Sequence, residues 1–161
     1  MKYLKKFYEN KNIDKDTNLK KWAYEYAKNN HEGLNSYEDA VYELDYFFDK
    51  EYTEMKGTFK LYRVLQLDDI KNLNKEELGD HYLHPDYISR LYDKPWYESI
   101  GIEFNDYEDI YLIEVITKWE DVNWEETIHN RLNFPREFEI TLNESPKEIT
   151  NIKKIDKNKI K

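Results

Sequence analysis

The hydrophobic period of this chain changes once, near residue 57, and that change limits the folds open to it. Before it, Leu19, Trp22, Ala23, Tyr26 and Ala27 recur at helical spacing, and Tyr37, Val41, Leu44 and Phe48 do so again. After it, Phe59, Leu61, Arg63 and Leu65 alternate with Lys60, Tyr62, Val64 and Gln66, the period-two pattern of a strand. Helices first and strands afterwards, without a regular βαβ alternation, predict an α+β fold.

The first helix is expected over residues 17–30, capped by Asp16 or Thr17. The second follows Ser36, with Asp39 three residues on completing a variant capping box. Residues 51–57 read as a linker. The chain is therefore expected to divide into an N-terminal helical segment, 1–56, and an α+β core, 57–161, within one compact domain. In the core, Ile110-Tyr-Leu-Ile-Glu-Val-Ile-Thr117 is the most strand-like run and is expected near the sheet centre. Short helices are predicted over 67–78, 85–93 (Pro85 at its first position) and 124–132, with a break at Lys94-Pro95-Trp96. Residues 137–142 and 149–155 read as strands joined by a turn at Asn143-Glu-Ser-Pro146, and the last six residues are expected to fray.

Charge and aromatic content narrow the class. Charged residues make up 37% of the 161, with a net charge of -9, yet aromatics reach 16%. A disordered acidic chain lacks such aromatics, so this one has the material for a core. The last fifteen residues carry six lysines against two acids, so the body before them is more acidic than the total implies. An acidic body repels nucleic acid, making direct nucleic-acid binding an unfavourable expectation. No run is long enough to span a membrane, and the Met1–Glu9 stretch lacks the apolar core of a signal peptide. Cysteine is absent, which suits a reducing, cytoplasmic setting.

The chemistry-bearing residues lie in the second part. Arg63 sits on the alternating strand behind Tyr62; Glu137 and Glu139 form a Glu-x-Glu pair expected on one face of a later strand. An arginine and two carboxylates are what gripping a phosphorylated sugar and stabilising charge at its glycosidic bond require. His81 and His84 with Asp80 and Asp86 have ligand chemistry, but without a defined helical spacing they predict no metal site.

The order Tyr62-Arg63, then Leu78-Gly-Asp-His-Tyr-Leu-His-Pro-Asp86, then an apolar strand, then Pro135-Arg-Glu-Phe-Glu-Ile-Thr-Leu142 resembles the ADP-ribosyltransferase family. The branch is the one marked by an arginine, a Ser-Thr-Ser strand and a Glu-x-Glu loop, common among phage-borne and toxin members. The resemblance covers about residues 59–155 and implies N-terminal helices followed by a mixed β-sheet core of that family. It implies NAD as substrate, Arg63 and Tyr62 at the phosphates and nicotinamide, Glu139 as the catalytic carboxylate and Glu137 as the group that positions the acceptor. His81 and Tyr82 stand where the Ser-Thr-Ser strand would fall, and the resemblance gives them the nicotinamide site. The implied partner is a protein of a bacterial host, modified on a side chain such as arginine, with a phage-encoded effector or anti-defence role. Two other readings stay open from the residues alone. One is a non-catalytic acidic protein that inhibits a host defence complex; the other is an inactive relative that binds NAD or another nucleotide.

Overall fold

A computed structural model describes residues 15–146 and 148–161. The Met1–Glu9 stretch read above for a leader lies outside the described residues, as does the rest of the segment before Lys15.

Helix α1 spans Lys15–Ala27 and buries Leu19, Ala23 and Ala27. Asp16, expected as a cap, lies inside the first turn and instead accepts from the Tyr52 hydroxyl at 2.7 Å. Helix α2 spans Tyr37–Tyr46, and the Ser36 hydroxyl accepts the Asp39 backbone N–H at 3.1 Å. Where a linker was expected, the helix continues through a π turn at Phe47–Glu51 into a last turn, Tyr52–Glu54. The wider π turn brings Phe47, Phe48, Glu51 and Tyr52 all inward. Polar residues around Glu51 look solvated in the sequence, but the fold supplies Glu51 with a buried cationic partner, described below.

Five strands follow: β1 (Thr58–Leu67), β2 (His81–Leu83), β3 (Asp109–Lys118), β4 (Glu139–Thr141) and β5 (Ile149–Lys154). Their order in the sheet is β4-β2-β1-β3-β5. The α+β class is as expected, but the sheet is not mixed: all of its strand pairings are antiparallel. The long partners are β1 and β3, in unbroken register from Thr58 opposite Lys118 to Leu67 opposite Asp109. β4 and β5, close in sequence, are the two edges of the sheet, so the Asn143–Pro146 segment is not a hairpin turn.

Strand alternation gives the sheet two covered faces. Leu61 and Leu65 of β1, Ile113 and Val115 of β3, Tyr82 and Ile140 join one core with α1, α2 and helix α4 (Trp124–Asn133). Tyr62, Val64, Leu83, Ile110 and Leu112 point the other way, against Leu91, Trp96 and Tyr97. The latter three come from a 3-10 run over Pro85–Tyr92 and helix α3 (Lys94–Ser99). Lys94-Pro95-Trp96 is thus the start of a helix rather than only a break, since proline is at home in a first turn. Burying both faces explains why β3 reads as a near-continuous apolar run.

The edges are finished differently. α4 covers β4: the Thr141 N–H donates to the Thr127 hydroxyl at 2.9 Å. β5 leaves its side chains almost wholly exposed, Lys153 and Lys154 among them. The final residues do not fray. Lys161 donates its N–H to the Tyr92 carbonyl at 3.1 Å and accepts the Lys94 N–H at 2.9 Å. Two strand-like hydrogen bonds against the Tyr92–Lys94 segment offset the chain-end entropy. Among the described residues no helix is long and apolar enough to cross a membrane.

Candidate active site

The short β2 strand lies between β1 and β4, and this places the chemistry-bearing residues around one opening. A cavity of about 160 Å³ is lined by Tyr62, Arg63, His81, Tyr82, Glu137 and Glu139, closed by Trp96, Ile100 and Ile102. All six residues singled out in the sequence therefore line a single cavity, though they do not leave the sheet in the way the sequence implied.

His81 links the acidic groups. Its Nδ1 lies 3.2 Å from the Glu139 carboxylate and its Nε2 lies 3.3 Å from that of Asp80. The Asn130 amide donates to the same Glu139 oxygen at 3.3 Å. Burial pushes the Glu139 carboxyl above the ordinary carboxylate range; His81 opposes the shift and Glu137 adds to it. Burial raises Glu137 as well, again against His81. Two carboxyls with raised proton affinity beside an imidazole form a polar cluster in a partly dry setting.

Glu137 and Glu139 are not a strand pair. β4 begins only at Glu139, because Phe138 between them adopts φ of 55°. A left-handed backbone at a bulky residue costs about 1–3 kcal/mol. Here it is offset by seating the Phe138 ring flat on Tyr87, centroids 4.0 Å apart, with the Arg90 guanidinium 5.3 Å over its ring. The twist re-aims Glu137, and both carboxylates still reach the cavity.

The register also separates Arg63 from Glu139. Tyr62 pairs with Leu83, and Leu83 with Glu139, so these three share one face. Arg63 and Tyr82 fall on the other. The Arg63 guanidinium donates to the His81 carbonyl at 2.5 Å and lies 5.8 Å from the Tyr82 ring centroid. Among the described residues it makes no ion pair. Its Nε–H is buried without a partner, as is the indole N–H of Trp96. The indoles of Trp119 and Trp124, which do not line this cavity, are likewise without an acceptor. The Tyr82 hydroxyl donates to Gly79, and burial pushes its pKa up to about 12, against the lowering effect of Arg63. Tyr62 donates to Glu114 at 3.0 Å and is raised by burial and by that bond.

Gly79 makes this packing possible. It has φ of +73°, and a Cβ there would lie 3.3 Å from an Arg63 guanidinium nitrogen. Gly79→Ala is expected to destabilise by about 1–2 kcal/mol through left-handed strain and to displace Arg63. Urea unfolding measures the first effect, and weaker binding of an anionic ligand measures the second.

The sequence did not reveal what supports the Glu137–Glu139 segment. Arg131 of α4 is fully buried and grips Glu51 bidentately, with bonds of 2.9 and 2.7 Å. It also donates to Glu43 at 3.3 Å and to the Tyr87 hydroxyl at 3.1 Å, while Tyr87 donates to Glu51 at 2.5 Å. Tyr87 then carries Phe138 on its ring. The only advance signal was an arginine at a core-facing helix position.

His84 and Asp86, grouped with His81 and Asp80 in the sequence, lie elsewhere. With Glu54 they bring ligand atoms within 4.8 Å of one another. Those atoms are engaged: His84 Nδ1 accepts the Asp86 N–H at 3.2 Å, and Lys50 pairs with Asp86 at 2.9 Å. Burial lowers the His84 pKa despite Glu51, Asp86 and Glu54, so the ring favours its neutral, capping form.

Comparison with protein-family models, with curated proteins and with solved structures finds no match for this chain.

Proposed function

We propose that this chain is an NAD-dependent mono-ADP-ribosyltransferase that modifies a side chain of a protein of its host. The observation that carries this reading is the shared cavity, lined by an arginine, a histidine–glutamate pair and a second glutamate. The volume, about 160 Å³, suits a ring-sized group and is below the roughly 300–1,000 Å³ that encloses a whole drug-sized ligand. The nicotinamide–ribose end of NAD fits that size, against Tyr62 and Tyr82.

Breaking the nicotinamide–ribose bond builds positive charge on the ribose. Glu139, once ionised, stabilises that charge from a site already shielded from water. Glu137 orients the incoming acceptor, and the Arg63 guanidinium puts positive charge on the cavity wall. His81 holds Glu139 in position through its Nδ1. Because Glu139 works as the anion and its proton affinity is raised, activity is expected to fall on acidification at a higher pH than the ordinary glutamate value of about 4.3. A pH profile of kcat/KM checks this; a fall only at or below the ordinary value would remove Glu139 from the role.

The direct experiment is mass spectrometry of a host lysate incubated with the protein and NAD. The expected result is one ADP-ribose unit added to a single host protein. Absence of modification together with absence of NAD binding overturns the reading. The competing reading, a non-catalytic acidic inhibitor of a host defence complex, draws on exposed Tyr42 and Tyr46, which stand on α2 beside Glu38, Asp39 and Asp49. NAD binding without cleavage points instead to an inactive relative.

A further inference from the structure

A second cavity, of about 230 Å³, adjoins the first across Trp96, and its lining includes Arg90, Arg136, Phe138, Asp93 and Ser99. Its arginines stand out. The chain has four arginines, its other cations being lysines and histidines. Arg131 is consumed in the core, and Arg63 leaves the sheet on the face opposite Glu139. The two that remain both line this cavity. Arg90 is steadied by Asp93 at 3.2 Å and by the Phe138 ring. Arg136 makes no ion pair among the described residues.

Trp96 joins the two cavities. It is only 6% exposed, it lines both cavities, and its indole N–H has no acceptor in the protein. The indoles of Trp119 and Trp124 are equally without an acceptor, so what sets Trp96 apart is its place: a guest in either cavity meets its ring. Guanidinium groups match phosphate oxygens as planar forks, which lysine does not. In a chain of net charge -9, a pocket with two arginines and one carboxylate is also a local exception to a field that repels anions.

We propose that this second cavity is a phosphate subsite that takes the diphosphate of a nucleotide between Arg90 and Arg136, against the Trp96 ring. It builds on the transferase reading: the cavity adjoins the one that holds Glu139 across Trp96, so phosphates held here put the attached ribose beside that carboxylate. Phe138, sharing this cavity from between the two glutamates, couples the subsite to them.

The test is calorimetric titration of the full chain with ADP, inorganic pyrophosphate and adenosine. The proteins compared are the wild type, Arg90→Gln/Arg136→Gln, and the distant surface control Lys153→Gln. Wild type is expected to bind ADP and pyrophosphate and not adenosine. The double variant is expected to lose about 10- to 100-fold in both, with the control unchanged. Both arginines are exposed, and because Arg90 also lies over the Phe138 ring, urea unfolding of the double variant checks that the fold is kept. ADP binding tighter than pyrophosphate identifies a nucleotide as the source; equal binding identifies free phosphate. As a second readout, the Trp96 indole NMR signal, assigned with Trp96→Phe, should shift on adding ADP to wild type and stay in place in the double variant. Wild-type affinity in the double variant, or no phosphate binding by the wild type, overturns the subsite. If pyrophosphate binding depends on the arginines while NAD is neither bound nor cleaved, the subsite stands and the transferase reading falls. If NAD turnover survives the double substitution unaltered, the reverse holds.

Discussion

Arg131→Leu is expected to lower folding stability by about 3–5 kcal/mol, the cost of leaving one charge of a buried pair without its partner. Arg131 and Glu51 are both fully buried. Burial alone would lower the Arg131 pKa, but Glu51 raises it beyond the ordinary arginine value, so the guanidinium is charged at every accessible pH. Removing it leaves the buried Glu51 carboxylate without a cationic partner, with the Tyr87 hydroxyl still donating to it. At this chain length the loss corresponds to a Tm drop on the order of 10 °C. Arg131→Leu combined with Glu51→Leu is expected to recover much of the loss, because apolar replacements leave no orphan charge. Urea unfolding of the single and double variants checks both statements. A single variant within 1 kcal/mol of wild type would sink the account, as such a value fits only an ion pair open to water. The effect also reaches the site: without Arg131, Tyr87 loses one of its anchors, and Phe138 loses part of the platform that holds its left-handed backbone.

Glu139→Gln is expected to reduce NAD cleavage by about 10²- to 10³-fold, the scale seen when one preorganised charge-stabilising group is removed. It should not lower stability at neutral pH. The folded Glu139 pKa is raised, so the carboxyl contributes stability below its unfolded pKa and loses that contribution as pH rises through the folded value. At pH 7 the ionised form is already a net cost, and a neutral isostere that keeps the Asn130 contact is neutral or slightly stabilising. Measured together, unchanged unfolding with lost turnover identifies Glu139 as a group acting on substrate. Unchanged turnover excludes it.

The helices and long strands were legible because each has an uninterrupted period: Ser36 and the α2 stripe, the β1 alternation, the apolar run of β3. The grouping of Tyr62, Arg63, His81, Tyr82, Glu137 and Glu139 was expected only from the resemblance of their motif order to a known family; strand order alone did not give it, since β3 intervenes in the chain yet pairs on the far side of β1. Its finer geometry was not. A positive φ at a phenylalanine has no sequence signature, and the face on which Arg63 leaves β1 is set by register with a strand of three residues. The Arg131–Glu51 pair was invisible for another reason. It joins residues 80 apart, and one of them sits in a polar run that becomes buried only when the helix widens into a π turn. Arg90 and Arg136 carry no motif; only the fold places them on one cavity.

The two sheet edges also govern how copies of this protein meet in solution. A strand with open backbone groups is a template on which another molecule can extend the sheet, the first step of ordered aggregation. β4 offers no such template because α4 occupies its flank. β5 does, and Ile152 on it is 40% exposed. Lys153 and Lys154 stand exposed on this edge, Lys154 paired with Asp109 at 2.7 Å. Lysines of an otherwise acidic chain thus stand on the exposed edge, where charge opposes pairing with another strand.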